Sequence, residues 1–414
     1  MRAWPRPDLG TLSPAPGPLR LHDSLTRSVR PVRPRDGVAR VYACGITPYD
    51  ATHLGHAFSY LAVDTLLRTL LDAGYGVRYA QNVTDIDDPL LERAAATGVD
   101  WEELAADQIE LYRNDLTALR LLPPDDLLGV VESMDGIIAY LERMRAANLL
   151  YQVADPEFPD WYLGADALDL AALGLSDQAA EALFAERGGD PDRPGKRNPL
   201  DSLVWRQQRP GEPAWDASLG RGRPGWHVEC AAIATGALGT DFDVQAGGSD
   251  LAFPHHPMCA LAAEELTGRP FAESYLHVGL VGLDGEKMSK SRGNLLFVSS
   301  ILAQGSDPMT LRLLLLAHHY RRDWEFSSGD LAEAEHRRTS WQQAFARPSG
   351  APGEPVLETV RAALRDDLDT PRAVAAVDSW AQSGPGEDAS APALVASAVD
   401  TLLGIRIGRS GGAR

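Results

Sequence analysis

Two histidines and two lysines stand where phosphate chemistry would use them. The run Cys44-Gly45-Ile46-Thr47-Pro48-Tyr49-Asp50-Ala51-Thr52-His53-Leu54-Gly55-His56 puts a turn with glycine and proline between a strand pattern and a helix pattern. It leaves His53 and His56 one turn apart at the helix start. Free backbone N–H groups and the helix dipole favour an anion there. Two imidazoles so spaced can donate to one phosphate, and Gly55 leaves room for a flat base or ribose near the backbone. Of 39 basic residues only three are lysines, and two of them fall in Lys287-Met288-Ser289-Lys290-Ser291. Lysine is a compact, mobile point charge, unlike the planar guanidinium that dominates elsewhere in the chain. The three cysteines, Cys44, Cys230 and Cys259, lie beside glycines, histidines or prolines, and Phe253-Pro254-His255-His256 adds imidazoles. Thiolates with imidazoles make a zinc donor set.

These groups need elements to hold them. Residues 38–44 are rich in strand formers. Leu54, Phe58, Leu61, Ala62, Leu66 and Leu70 recur at helical spacing from about His53 to Ala73, and Gly74 is a C-cap. Residues 76–83 predict the next strand. Strand, helix and strand in this compass make a βαβ unit, hence a parallel sheet with a right-handed crossover. Helices are expected over 87–150. Over 151–199 regular period is lost, apart from a short helix near 177–187 closed by Gly188-Gly189. Short helices and strands, including 241–244 and 275–278, fill 200–282. A strong apolar helix spans 308–320. From about 330 the chain is helical, broken near 347–355 and 383–392. The fold class is α/β: a Rossmann-like catalytic domain (38–130 and 195–300) with an N-terminal arm (1–37), an inserted connector (131–194) and a helical C-terminal region (301–414).

Composition narrows the function classes. The 414 residues are 44% hydrophobic and 23% charged, enough for a sizeable core. No run of eighteen uninterrupted apolar residues predicts a membrane span, and the first forty residues have no apolar signal core. A net charge of -19 argues against non-specific binding of nucleic acid or anionic membrane. Three cysteines are too few for a disulfide framework and suit a reducing, cytoplasmic setting.

Taken together, the His53-Leu54-Gly55-His56 and Lys287-Met288-Ser289-Lys290-Ser291 segments resemble those of class I aminoacyl-tRNA synthetases. The resemblance implies activation of an amino-acid carboxylate by ATP, with Mg2+ expected on the phosphates. His53 and His56 would hold phosphates, while Lys287 and Lys290, on a loop opened by Asp284-Gly285, would close over pyrophosphate. Asn82 to Asp88, Asn198 to Asp201, Gly222 to Cys230 and Gly247 to His256 are similar to cysteinyl-tRNA synthetase, a likeness covering about residues 38–335. In that family zinc takes the thiolate of the substrate cysteine. Shape alone separates cysteine from serine poorly, whereas a soft thiolate on zinc is strongly preferred to a hydroxyl. The implied ligands are Cys44, Cys230 and His255. The implied adenylate pocket is Cys44, Gly45, Ile46, Thr47, Ser59, Asn82, Val83, Thr84, Trp226, Gly248, Ser249, Asp250 and Val281. Trp226 reads as a wall of the cysteine site or as core, and Asp250 as partner of the amino group or of a ribose hydroxyl.

The chain departs from the synthetase pattern twice. Cys259 stands where that pattern has a glutamate ligand, and reads as a fourth ligand, a neighbour of the ligands or a packed residue. The region after 330 is short and slightly acidic, not the basic face a tRNA reader needs. Glu186-Arg187-Gly188-Gly189-Asp190-Pro191, with the Ile46-to-His56 run and the lysine loop, resembles the cysteine ligases of mycothiol biosynthesis. That resemblance implies ATP, L-cysteine and an amino sugar, 1D-myo-inositol 2-amino-2-deoxy-α-D-glucopyranoside (GlcN-Ins), as substrates. A monomer is expected, with no nucleic-acid or membrane partner. The rival readings are a tRNA-charging enzyme with a reduced C-terminal domain and a non-catalytic zinc- and nucleotide-binding module. Against the second stand the intact His53, His56, Lys287 and Lys290.

Overall fold

The computed structural model describes residues 1–10, 12–49, 52–283, 286–287 and 295–408, with Glu286 and Lys287 as backbone only. Strand Val38–Ala43 is the centre of a five-stranded parallel sheet. The spatial order is Tyr275–Val278, Val244–Gly248, Val38–Ala43, Gly76–Val83, Asp126–Gly129. The chain begins in the middle, builds outward on one side, then returns and builds on the other. In such a doubly wound sheet the ligand crevice opens where the order reverses, at the carboxyl ends of the two central strands. Here those ends are Ala43 and Gly248.

The strand–helix–strand start expected over 38–83 is found as Val38–Ala43, Leu54–Asp72 and Gly76–Val83. Two strands differ from expectation. Asp126–Gly129 lies in a stretch read as helical, and it has only four residues in which to show a period. The strand read at 241–244 begins where that reading ended, at Val244. Asp241 has a left-handed φ of 56°, and Phe242 makes only an isolated bridge to Ala272. The true strand carries two glycines, which dilute its signal. A further surprise is an antiparallel sheet that pairs two strands of the connector, Leu150–Gln152 and Trp161–Leu163, with Ser202–Gln207 and Gly222–Pro224 beyond it. Its strands of three to six residues are too short for alternation to be read.

Two hydrophobic clusters cover the two faces of the parallel sheet. Ala39, Val41 and Ala43 join helix Leu54–Asp72 and the C-terminal helices on one face. Tyr42 and Ala80 join helices Met134–Ala146, Trp226–Leu238 and His255–Thr267 on the other. Burial on both faces goes with strands that are apolar for much of their length, though Gln81, Asn82 and Gln245 are buried among them. Helix Leu54–Asp72 is buried around most of its circumference, charged residues included. Arg68 Nε donates to Asp64 Oδ2 at 2.7 Å, and the Arg312 guanidinium, from helix Pro308–Leu316, donates to the same oxygen. Asp72 accepts from Arg361 and Arg365 at 2.9 and 3.0 Å. Near the N-terminus, Leu19–Asp23 and Ser28–Val32 form a hairpin, and buried Trp4 donates to the Leu121 carbonyl at 2.9 Å. No helix among the described residues is long and apolar enough to cross a membrane.

Candidate active site

A cavity of about 470 Å³ opens at the sheet's switch point. Cys44, Gly45, Ile46, Thr47, His53, His56, Ser59, Trp226, Gly248, Asp250 and Val281, all expected there, line it. Asn82, Val83, Thr84 and Ser249 do not.

Asn82 and Thr84 instead brace the wall from behind. Asn82 Oδ1 accepts from the Gly45 N–H at 2.9 Å and from the Tyr42 hydroxyl at 3.0 Å. Its Nδ2 donates to Thr84 Oγ1 at 3.1 Å, and the Thr84 N–H donates to the Ile46 carbonyl at 2.9 Å. A Cβ on Gly45 would stand 1.6 Å from the Asn82 carbonyl oxygen, so only glycine lets this turn pass the neighbouring strand. Ser249 faces an adjoining cavity.

His53 is the N-cap of helix Leu54–Asp72. Its Nδ1 accepts from the Gly55 N–H at 3.1 Å and the His56 N–H at 3.4 Å. Nδ1 is thereby an acceptor, which leaves Nε2 to carry the hydrogen of a neutral ring. The His53 and His56 rings stack with centroids 3.7 Å apart. Gly55 serves this arrangement first, since a Cβ there would lie 2.9 Å from His53 Cε1. Tyr60 also lines the cavity and donates from its hydroxyl to the Cys44 carbonyl at 3.3 Å. Sequence reasoning passed over it, although 53, 56, 60 and 63 share one face of the helix. Tyr49, Leu251, Gly279, Leu280 and Leu295 line the cavity as well and carry no sequence signal of doing so.

Cys44, Cys230 and His255 come together at one point. Their ligand atoms lie within 4.8 Å of one another and all three residues are buried. Cys44 directly follows the central strand, Cys230 lies on helix Trp226–Leu238, and His255 opens helix His255–Thr267. Each has supports. Gln245 Nε2 donates to Cys44 Sγ at 3.3 Å, and His256 Nε2 lies 3.4 Å from the same sulfur. His227 Nδ1 and His255 Nδ1 are 2.9 Å apart, so they share a hydrogen bond and leave His255 Nε2 for a ligand. The Trp226 ring stacks on His255 at 4.2 Å, joining the cavity wall to this group. Hydrogen bonds from Cys259 and Cys44, and nearby His255, hold the Cys230 thiol well below its usual range, whereas burial pushes Cys44 and Cys259 up. Of the three thiols, Cys230 is thus the one set to carry negative charge. Cys259 borders this group: its thiol lies 3.2 Å from the His227 carbonyl, and its sulfur is 3.7 Å from His255 Nε2 and in hydrogen-bond contact with Cys230.

The backbone of Lys287 lies in strand Glu286–Lys287, opposite Gly282 and beside the cavity-lining Val281. Lys290, with Asp284, Gly285 and the rest of the lysine-bearing segment, lies outside the described residues.

Comparison with known proteins adds to this geometry. The profile of the family described as tRNA synthetases class I (C) catalytic domain matches residues 31–336. A Thermobifida fusca protein named L-cysteine:1D-myo-inositol 2-amino-2-deoxy-alpha-D-glucopyranoside ligase is 56% identical, over 99% of this chain and 100% of its own. A Thermomonospora curvata protein of the same name is 54% identical over 98% of this chain and 100% of its own. Among solved structures, Mycobacterium tuberculosis methionyl-tRNA synthetase bound by methionyl-adenylate matches with a TM-score of 0.63 at 16% identity. It covers 88% of this chain and 92% of that one. At that identity the likeness bears on the fold.

Proposed function

The chain belongs to the class I (C) tRNA synthetase catalytic-domain family and, within it, groups with the L-cysteine:1D-myo-inositol 2-amino-2-deoxy-alpha-D-glucopyranoside ligases; from that premise we propose that it joins L-cysteine to the amine of GlcN-Ins at the expense of ATP. It is an ATP-dependent ligase that forms an amide and releases AMP and diphosphate. The observation that carries the substrate assignment is that Cys44 belongs both to the buried Cys/His group and to the wall of the switch-point cavity. A site for sulfur and a site for nucleotide thus share a residue.

Two half-reactions follow. In the first, a carboxylate oxygen of cysteine attacks the α-phosphorus of ATP, the bond to the bridging oxygen breaks, and pyrophosphate leaves. His53 Nε2–H and the stacked His56 would donate to phosphate oxygens at the helix N-terminus, where the dipole adds to the attraction. Lys287 and Lys290 would take up the charge of the departing pyrophosphate, with Mg2+ on the phosphates. Cys44, Cys230 and His255 would hold zinc, for which two buried sulfurs and an imidazole are a fitting set, and bound zinc supplies a soft acid for the cysteine sulfur. Trp226 would close the cysteine side, and Asp250 would meet the ammonium or a ribose hydroxyl. The braced turn from Cys44 to Thr47 would hold the adenylate from below. In the second half-reaction the neutral amine of GlcN-Ins attacks the acyl carbon, the bond to the AMP oxygen breaks, and the new amide loses a proton.

The slightly acidic region after residue 330 supports a small-molecule acceptor and no nucleic-acid or membrane partner, in keeping with a cytoplasmic enzyme. The test is AMP release by the purified protein with cysteine and ATP, offered GlcN-Ins or bulk tRNA, with mass spectrometry of the product. Release with GlcN-Ins, and a product carrying one cysteine in amide linkage, is the expected result. Turnover with tRNA alone would make the chain a cysteinyl-tRNA synthetase instead.

A further inference from the structure

The Glu186-Arg187-Gly188-Gly189-Asp190-Pro191 segment does nothing in the reaction as described, yet it reaches the site. Helix Asp177–Glu186 ends at Arg187, and Gly188, with φ of 88°, turns the chain back. The Gly189 N–H donates to the Phe184 carbonyl at 2.8 Å, and a Cβ on Gly189 would lie 2.4 Å from the Phe184 ring. The two glycines therefore press this turn flat against its own helix. Asp190 fixes the far end. It accepts from Lys196 Nζ at 3.0 Å and from the Tyr162 hydroxyl, on strand Trp161–Leu163 of the antiparallel sheet. The Lys196 ammonium also donates to the Pro199 carbonyl at 2.7 Å and lies 4.8 Å from the Phe184 ring centre. Every donor of that buried charge is used.

Arg187 faces the other way. Its Nη1 donates to the carbonyl oxygens of both Asp250 and Phe253. Those carbonyls belong to the turn that follows central strand Val244–Gly248, in which Pro254 brings no N–H of its own. Asp250 and Leu251 of this turn line the cavity, and His255 begins the next helix. The Asp250 carboxylate is set tightly: a Cβ on Gly248 would stand 2.4 Å from its Oδ1. One guanidinium thus ties the insertion to the segment that presents Asp250 on one side and His255 on the other.

We propose that Arg187 is a positioning residue, anchored through Asp190 and Lys196, that fixes the turn 249–253 and so sets where the Asp250 carboxylate meets its substrate. The proposal rests on the reading of the cavity as a cysteine and ATP site. Asp250 binds and does not react, so its misplacement weakens binding of the one substrate it touches and spares the chemical step.

The test is cysteine-dependent exchange of pyrophosphate into ATP by the full-length protein. Arg187→Ala should raise KM for one substrate, cysteine or ATP, by about tenfold, the worth of one charge-assisted hydrogen bond. The other KM, kcat, metal content and melting temperature should stay near wild type. Arg187→Lys, whose ammonium can still donate to two carbonyls, should restore most of the lost KM. Asp190→Asn, at the anchored end, should shift the same KM by less, and it serves where Arg187→Ala does not fold. A fall in kcat, both KM values and metal content together would overturn the proposal, as would unchanged kinetics or failure of lysine to rescue. Wild-type protein without cysteine-dependent exchange would remove the reading of the cavity. Exchange in wild type with unaltered KM in the variants would remove the clamp alone.

Discussion

Asp64, Arg68 and Arg312 form one buried polar cluster, and Cys44, Cys230 and His255 with their neighbours form another. In the first, every nitrogen of both guanidinium groups has a partner: the Asp64 carboxylate or the carbonyls of Leu119, Arg120, Asp400, Thr401 and Leu403. The other Asp64 oxygen accepts from the Leu122 N–H at 2.8 Å. In the second, Gln245 Oε1, His277 Nδ1 and Glu229 Oε2 are buried without a hydrogen-bond partner, and three ligand atoms point at a shared space. A saturated cluster leaves nothing for a ligand and serves the fold, here by locking helix Leu54–Asp72 to the C-terminal helices. An unsaturated one stays polar at a cost of about 1–3 kcal/mol per unmatched group, and that cost marks a place where something else completes the set.

The contrast can be broken by removing one member from each cluster. Cys230→Ser should lose the metal and lower cysteine-dependent exchange by more than about a hundredfold, beyond the effect of altering a mere neighbour of a ligand, with little change in melting. Metal analysis beside the exchange assay checks this, and full metal retention would remove Cys230 from the donor set. Asp64→Ala should do the opposite: a loss of about 3–5 kcal/mol in urea unfolding, because two buried guanidinium groups are left unpaired, with turnover per folded molecule kept. Burial alone would raise the Asp64 carboxyl, but Arg312 and Arg68 outweigh it and hold it below the usual carboxylate range. Its contribution is therefore full above about pH 4 and lost as pH falls through its lowered value, so the variant should show a flatter acid limb than wild type.

His53 sits between the two kinds of site, being both a helix cap and a cavity wall. His53→Asn keeps a good cap, changing stability by a few tenths of a kcal/mol at most, but shortens the donor to phosphate. The expected fall in kcat for exchange is about a hundredfold, and a fall explained by unfolding would show the cap to be its main task. The smallest effect belongs to Cys259→Ser, where a hydroxyl can still donate to the His227 carbonyl. Because that hydrogen bond is kept, metal affinity should change by less than about tenfold, and a loss beyond about a hundredfold would make Cys259 a ligand.

Much of this site could be read along the chain because its parts are local. His53, Gly55 and His56 follow a strand and open a helix, so spacing alone places them at a sheet edge. Cys230 and His255 had to be inferred from their surroundings and from resemblance, since no periodicity says that two helices bring them to the end of strand Val38–Ala43. Asn82 shows the limit of such reading. It stands beside the cavity in sequence terms, yet its side chain turns inward to hold Gly45 and Tyr42. Tyr60 shows the converse, an aromatic in an apolar helix whose hydroxyl reaches the wall at Cys44.

By itself the sequence determined the βαβ start, the nature of the phosphate-facing turn and the supply of thiols and imidazoles, because these depend on residue type and on separations of a few positions. Only the tertiary structure decided that Asp64 and Asp72 of one helix face arginines of the C-terminal helices, and Arg68 the carbonyls of Asp400 and Thr401, instead of water. It alone brought Arg187 from the insertion onto the turn at Asp250. Both outcomes depend on which surfaces meet once the sheet is covered on both faces, and that meeting is set by packing between distant segments, which residue spacing does not encode.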